Sequence, residues 1–89
     1  MVRNNPRETI ENLDELPFPA RDLFPMERYI PLPNQYKKLP LTNMVVIRGC
    51  PYFCTFCDQA GTGARRRSPA KVVHEIIHCV EKYGIKEIS

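Results

Sequence analysis

The distribution of proline divides this chain of 89 residues into two halves with different folding options. Proline lacks an amide donor and restricts the residue before it, so a proline-rich half is not expected to form long helices or central strands. Seven of the nine prolines lie in residues 1–42. These seven are Pro6, Pro17, Pro19, Pro25, Pro31, Pro33 and Pro40.

The proline-rich half is nevertheless too apolar for a flexible linker. Its large apolar side chains are Leu13, Leu16, Phe18, Leu23, Phe24, Met26, Tyr29, Ile30, Leu32 and Tyr36. We therefore predict that residues 1–42 form an irregular segment whose apolar side chains pack onto another surface. A partly disordered, adhesive tail is the alternative.

Residues 43–89 have the pattern of a single βαβ unit. The β-branched run at 43–48 predicts a buried parallel strand, and residues 49–67 form a loop after it. Ser68 and Pro69 are typical of a helix start and Gly84 of a helix end, which predicts a helix over 69–83. A second strand follows at 85–89. The predicted fold class is α/β, and the predicted buried face of the helix comprises Val72, Val73, Ile76, Ile77, Val80 and Tyr83.

Composition excludes some classes of function. No apolar run is long enough to cross a bilayer, and the chain begins without the apolar region of a signal peptide. The net charge is +3, and the excess lies in residues 43–89, mostly in the run Arg65–Arg67. That bias is too small to predict nucleic-acid binding. The run is interpreted as a solvated charge cluster, or alternatively as the source of one arginine that contacts an anionic group.

Three of the four cysteines, Cys50, Cys54 and Cys57, occur within eight residues with the spacing C-x3-C-x2-C. Thiolates bind iron and zinc, and one loop carrying three of them can surround one inorganic centre. Three thiols cannot all form disulfides with one another, and such close neighbours would close strained rings. A structural zinc site uses four ligands, whereas an iron–sulfur cluster held by three thiolates keeps one iron open.

The spacing of these cysteines, with Phe56 before the last one and Arg-Gly-Cys-Pro-Tyr leading in, resembles the signature of radical S-adenosylmethionine (radical SAM) enzymes. The resemblance implies that Cys50, Cys54 and Cys57 bind a [4Fe–4S] cluster and that S-adenosylmethionine chelates the fourth iron. Phe56 would pack near the adenine. The implied reaction generates a 5′-deoxyadenosyl radical that acts on a small-molecule substrate. The resemblance also implies an electron donor such as flavodoxin or ferredoxin. Free thiols that serve as metal ligands fit a reducing compartment, so we expect a cytoplasmic location.

The segment Ile10–Pro25 resembles the connector of cobalamin-binding radical SAM proteins, a group that includes anaerobic cyclases and carbon and phosphorus methyltransferases. This resemblance implies a connector over 1–42 and the first βαβ unit of a TIM-type barrel over 43–89, with cobalamin in the full-length protein. A barrel needs about 200 residues or more, so this chain is expected to be one part of it. Alone it is expected to bind a cluster at most, with little or no turnover. It is also expected to have low stability or to self-associate through the strands at 45–47 and 85–88.

Two other functions use the same cysteines. A small zinc module would add Cys79, His74 or His78 as the fourth ligand, and an electron-transfer protein would resemble a ferredoxin, although ferredoxins use four cysteines per cluster. The sequence His74–His78 matches H-E-x-x-H, the zinc-protease pattern. Both histidines are predicted on the solvent side of the helix, and Cys79 is predicted to be a small buried thiol.

Overall fold

The computed structural model describes residues 4, 5 and 7–89. Residues 1–3 and Pro6, which belong to the predicted connector, lie outside the described residues. The chain is mixed α/β, with one α-helix and four short strands in the described part. Single 3-10 turns come first, then β1, β2, β3, α1 and β4. The four turns span Leu13–Glu15, Arg21–Leu23, Met26–Arg28 and Pro33–Gln35. The strands are β1 (Leu41–Thr42), β2 (Ile47–Arg48), β3 (Arg65–Arg66) and β4 (Glu87–Ile88), and the helix α1 is Pro69–Tyr83.

Helix α1 spans the residues that the sequence predicts, because local signals fix both of its ends. The Ser68 side chain accepts a hydrogen bond from the Lys71 amide at 3.2 Å, and proline occupies the first turn. Gly84 adopts the left-handed conformation with φ of 62° and ends the helix. Asp14 of the N-terminal half contributes to the start of the helix, since its Oδ1 accepts a hydrogen bond from the Ser68 amide at 2.9 Å.

A parallel strand pair forms as a βαβ connection requires, but its first strand is not the predicted one. β1 pairs with β4, with Leu41 opposite Glu87 and Thr42 opposite Ile88. The amide of Lys86 donates to the Pro40 carbonyl at 2.9 Å, which extends the contact by one residue. The contact continues to Met44, whose amide donates to the Ser89 carbonyl at 3.0 Å. The last strand therefore pairs along 40–44, whereas the sequence predicts its partner at 43–48.

The β-branched run is instead part of an antiparallel hairpin. β2 pairs with β3, with Ile47 opposite Arg66 and Arg48 opposite Arg65. Val45 is 56% exposed, so the run is not the predicted buried strand. The reason is physical: its backbone is used to close the long loop that follows it, and no second layer covers it among residues 4, 5 and 7–89.

The helix turns a different face inward than its apolar pattern predicts. Glu75 and Cys79 are fully buried, while four members of the predicted buried face are exposed. Those four are Val73, Ile76, Ile77 and Val80. The inward side faces the N-terminal half of the chain, where Arg21 forms an ion pair with Glu75. The ion pair of Glu75 with Arg21 therefore occupies the inward position that the helical periodicity assigns to aliphatic side chains.

Residues 10–21 of the N-terminal half pack against α1. Leu13 is 2% exposed and joins Cys79 and Ile85 as the buried apolar side chains of the described residues. The Phe18 ring lies 5.6 Å from the His78 ring, centroid to centroid. The radius of gyration is 16.2 Å, compared with about 12 Å expected for a compact domain of this length. The packed core is therefore small and the described chain is extended.

Among the residues that the structure describes, no helix has the length and apolar character needed to cross a membrane.

Candidate metal centre

The cysteine loop, defined as residues 49–64, is a hairpin closed at its base by β2 and β3. Within the loop, the Cys50 amide donates to Thr62 Oγ1 at 3.1 Å. The Gly61 amide donates to the Tyr52 carbonyl at 2.8 Å, and the Thr62 hydroxyl donates to the Gln59 carbonyl at 2.9 Å. Hydrogen bonds at Cys50 and at Tyr52 thus join the two arms of the loop.

The base of the cysteine loop requires glycine at position 49. Gly49 has φ of 84°, a conformation that side chains rarely adopt. A Cβ atom placed there would lie 1.9 Å from the Gly63 carbonyl oxygen on the opposite arm. The close approach of the two arms immediately before Cys50 therefore depends on the absence of a side chain.

The structure places Cys50, Cys54 and Cys57 on this one loop as free thiols. Cys54 is exposed, and the other two are half-buried. A turn joins the last two, since the Cys57 amide donates to the Cys54 carbonyl at 3.2 Å. In the described part of the chain, no three side chains of His, Cys, Asp or Glu lie close enough together to hold a metal ion. The loop brings the three thiols near one another in sequence, but it does not gather them into a metal-binding group.

The donor set nevertheless fits an iron–sulfur cluster in its chemistry. Three accessible thiols on an eight-residue stretch are unpaired with one another, so all three are available as thiolate ligands. Phe56, which precedes the last cysteine, is 92% exposed and is free to contact a bound molecule. Tyr52 and Phe53 are also exposed. The apolar rings around the thiols therefore point away from the small core of the chain.

The residues considered as a fourth metal ligand are held elsewhere. Cys79 is fully buried in α1, and burial raises the pKa of its thiol; the Arg21 charge opposes this and the Glu75 charge adds to it. His78 is half-buried, contrary to prediction, because its ring lies against Phe18 and, 5.8 Å away, against Tyr83. The expectation of a small buried thiol at Cys79 agrees with its position.

His74 is exposed as predicted, but the glutamate of the His74–His78 pattern is not available for zinc-protease chemistry. Glu75 forms ion pairs with Arg21, at 2.7 Å, and with Arg67. Although burial acts to raise its pKa, the hydrogen bonds and charges of these two arginines hold the pKa of the carboxyl below its ordinary value. Glu75 is therefore a structural carboxylate whose ionised form is favoured by the two arginines.

The arginine run at the base of the loop is mostly not a solvated cluster. Arg65 Nη1 donates to the Ile10 carbonyl at 2.8 Å, and Arg67 pairs with Glu75, whereas Arg66 is exposed. Sequence reasoning missed the Arg21–Glu75–Arg67 cluster. Arg21 lies 54 positions from Glu75, so no periodic pattern connects them. The one local signal is an acidic residue at the border of the apolar stripe of α1.

Curated relatives resemble the chain over most of its length. It is 40% identical, over 99% of its residues, to an uncharacterized methyltransferase of Pyrococcus horikoshii. It is 35% identical over 84% of its residues to the cytidylyl-2-hydroxyethylphosphonate methyltransferase of Streptomyces wedmorensis. It is also 36% identical over 85% of its residues to the anaerobic magnesium-protoporphyrin IX monomethyl ester cyclase of Rubrivivax gelatinosus.

These similarities cover a small part of each relative. The chain spans 19%, 15% and 13% of the three proteins, respectively. No protein-family model matches the chain, and no solved structure matches it. By name the relatives are methyltransferases and an anaerobic cyclase, which are two of the reaction classes that the connector resemblance indicates. The chain is thus similar to one segment of larger enzymes.

Proposed function

We propose that this chain is the cluster-binding segment of a radical SAM enzyme. Cys50, Cys54 and Cys57 would bind a [4Fe–4S] cluster, and the fourth iron would be left to S-adenosylmethionine. The observation that carries the proposal is the closed loop with three free thiols, of which Cys54 is exposed and Cys50 and Cys57 are half-buried. The names of the relatives add support at the level of enzyme class.

The chain's own residues would serve this function in three ways. The thiols supply the ligands and must lose their protons when the metal binds. The exposed Phe56 ring offers an apolar surface for the adenine of the bound nucleoside. The hydrogen bonds of Cys50 and Gly61 limit the number of conformations that the loop must search before its thiols converge. With S-adenosylmethionine bound, such a cluster supplies one-electron reductive cleavage of the sulfonium.

Methyl transfer is the reaction class we favour, because the relative that matches 99% of the chain is named a methyltransferase. Ring formation is the second class, supported by the cyclase. The proposal includes a TIM-type barrel and a cobalamin domain in the full-length enzyme, an electron donor such as flavodoxin or ferredoxin, and a cytoplasmic location. The substrate would be a small molecule.

The zinc module is the weaker hypothesis on structural grounds. A four-ligand site needs one more donor beside the cysteine loop. Cys79 would have to leave a fully buried position, and His78 would have to leave two aromatic neighbours. His74 is exposed, and in the described part of the chain neither it nor the three thiols belong to a group of side chains close enough together to hold a metal ion.

Anaerobic reconstitution with iron and sulfide tests the proposal. The wild-type chain is expected to bind a [4Fe–4S] cluster whose reduced-state paramagnetic resonance signal shifts when S-adenosylmethionine is added. Cys54→Ala should abolish the cluster, and the matched variant Cys79→Ala should retain it. Stoichiometric zinc that is retained in the presence of iron and sulfide, and is lost from Cys79→Ala, would refute the proposal and establish the zinc module.

A further inference from the structure

The most deeply buried charge in the described chain is the carboxylate of Glu75. Its side chain is 1% exposed and lies between two arginines. Glu75 Oε1 is 2.7 Å from Arg21 Nη2, and Oε2 accepts a hydrogen bond from Arg67 Nη1. The side chains of Arg21 and Arg67 are also nearly buried, at 6% and 10% exposure. This Arg21–Glu75–Arg67 cluster has a net charge of +1 and is closed off from solvent.

Each arginine of the cluster belongs to a different part of the fold. Arg21 lies in the N-terminal half, and it also donates to Thr42 Oγ1 and to the Asn43 carbonyl, both at 3.1 Å. It therefore reaches β1 as well as α1. Arg67 is the residue after β3, and its amide donates to the Val46 carbonyl at 3.0 Å. Arg67 is thus the last rung of the hairpin that closes the cysteine loop.

Loss of one member of the cluster is expected to disturb the base of the loop, because the buried charges that remain would lack a counter-charge. Without the carboxylate, two cationic groups would face each other at the helix surface and would move toward water. The Arg67 guanidinium also donates to the Val45 carbonyl at 3.4 Å, so a shift of this group toward water would break a contact at the base of the loop. Arg65 provides a second attachment at the same base, through its hydrogen bond to the Ile10 carbonyl.

We infer that Glu75, acting through Arg67 and Arg21, is a positioning residue that holds the base of the cysteine loop against the helix and the N-terminal half. The three thiols are thereby presented from a fixed base when they bind a cluster. The part of this inference that concerns cluster binding rests on the proposed function. The part that concerns the loop base rests on the contacts of the metal-free chain alone.

Hydrogen exchange of the metal-free chain tests the loop base. In Glu75→Gln, we expect exchange of the Arg67 amide to accelerate by about tenfold or more, since loss of a buried ion pair exceeds the 1.4 kcal/mol that a factor of ten represents. The Gly84 amide, which donates to the Val80 carbonyl at the far end of α1, should be unchanged. Glu81→Gln, on the exposed side of the same helix, is the matched control and should leave both amides unchanged.

A second pair of variants keeps the test decisive if Glu75→Gln unfolds. Arg67→Lys retains the charge but loses the planar fork that binds a carboxylate. Arg66→Lys makes the same change at the exposed neighbouring position. The backbone amide of residue 67 should exchange faster than in the wild type in Arg67→Lys, but not in Arg66→Lys. Equal exchange rates in the two lysine variants would overturn the inference.

Iron release from the reconstituted chain tests the effect on the cluster. Partners that orient metal ligands typically contribute about tenfold to a hundredfold in metal affinity. We expect Glu75→Gln to release iron to a chelator at least about tenfold faster than Glu81→Gln, with an altered paramagnetic resonance signal. Unchanged release and an unchanged signal would overturn the inference. A wild-type chain that binds no cluster would refute the proposed function, while the exchange result would still decide the role of Glu75 at the loop base.

Discussion

Replacement of Leu13 by alanine tests whether the N-terminal half is part of the folded unit. Leu13 lies in a single 3-10 turn and is 2% exposed, one of three buried apolar side chains among the described residues. Its removal takes away one of the few buried apolar side chains of the described residues and leaves a cavity in their small core. If the N-terminal half were a loosely attached tail, as the alternative interpretation of the sequence holds, the change would have little effect.

The expected loss in the free energy of unfolding is about 2–5 kcal/mol, the range for replacing a buried leucine by alanine. Total stability for 89 residues is about 4–13 kcal/mol at the usual values per residue. The small core and extended shape of this chain place it at the lower end of that range. Leu13→Ala is therefore expected to remove most of the stability and to leave a substantial unfolded population at 25 °C.

Urea unfolding followed by the helical circular dichroism of α1 measures this effect. Leu23→Ala is the matched control, because Leu23 lies in another 3-10 turn of the same segment and is 80% exposed. It should change the unfolding free energy by less than about 0.5 kcal/mol. Equal midpoints for Leu13→Ala and Leu23→Ala would show that α1 folds without the N-terminal half, which would contradict the packing described above.

Further predictions concern acid stability, the loop, the aromatic ring and association. Because the folded-state pKa of Glu75 lies below its ordinary value of 4.5, its ion pairs contribute stability above that pH, and this contribution is lost as the pH falls below it. The unfolding midpoint, measured as a function of pH, should therefore fall less steeply below pH 4.5 in Glu75→Gln than in the wild type. Parallel slopes would argue against the buried ion pairs. Gly49→Ala should lower the thermal midpoint more than Gly63→Ala, since both positions have positive φ but only the first would clash with the opposite arm; equal midpoints would contradict the close approach. Phe56→Ala should leave the unfolding free energy within about 0.5 kcal/mol of wild type yet abolish the spectral response of the reconstituted chain to S-adenosylmethionine, and a retained response would remove Phe56 from the site. The sequence predicts self-association through 45–47 and 85–88; the apolar side chains of 45–47 are exposed, whereas Ile85 is buried and β4 pairs with β1. Sedimentation velocity should therefore detect concentration-dependent self-association through 45–47, and a monomer at all concentrations would oppose it.

The parts of the fold that local chemistry determines could be predicted from the sequence. The helix over 69–83 has a serine cap, a proline in its first turn and a glycine after its end, and all three signals act within a few residues. The position of the three cysteines on one loop between a strand and the helix follows from the same local pattern. These features depend on neighbours in sequence, which a single chain displays directly.

The burial of the helix could not be predicted in the same way, because it depends on a distant partner. The apolar stripe predicts one buried face, yet Glu75 is buried because Arg21, in the other half of the chain, pairs with it. The strand at 43–48 has a similar explanation. Its β-branched residues indicate burial, but the antiparallel pairing of Ile47 with Arg66 turns the run to the surface.

The hydrogen bond from the Ser68 amide to Asp14 spans 54 residues, and the one from Arg65 to the Ile10 carbonyl spans 55. On a ribosome that adds about 5–20 residues per second, Asp14 is made some 3–11 s before Ser68. During that interval the apolar side chains near Asp14 have no native surface to cover them. Folding of this chain must therefore wait for translation of its last third, and contacts of such long range make the search itself slow.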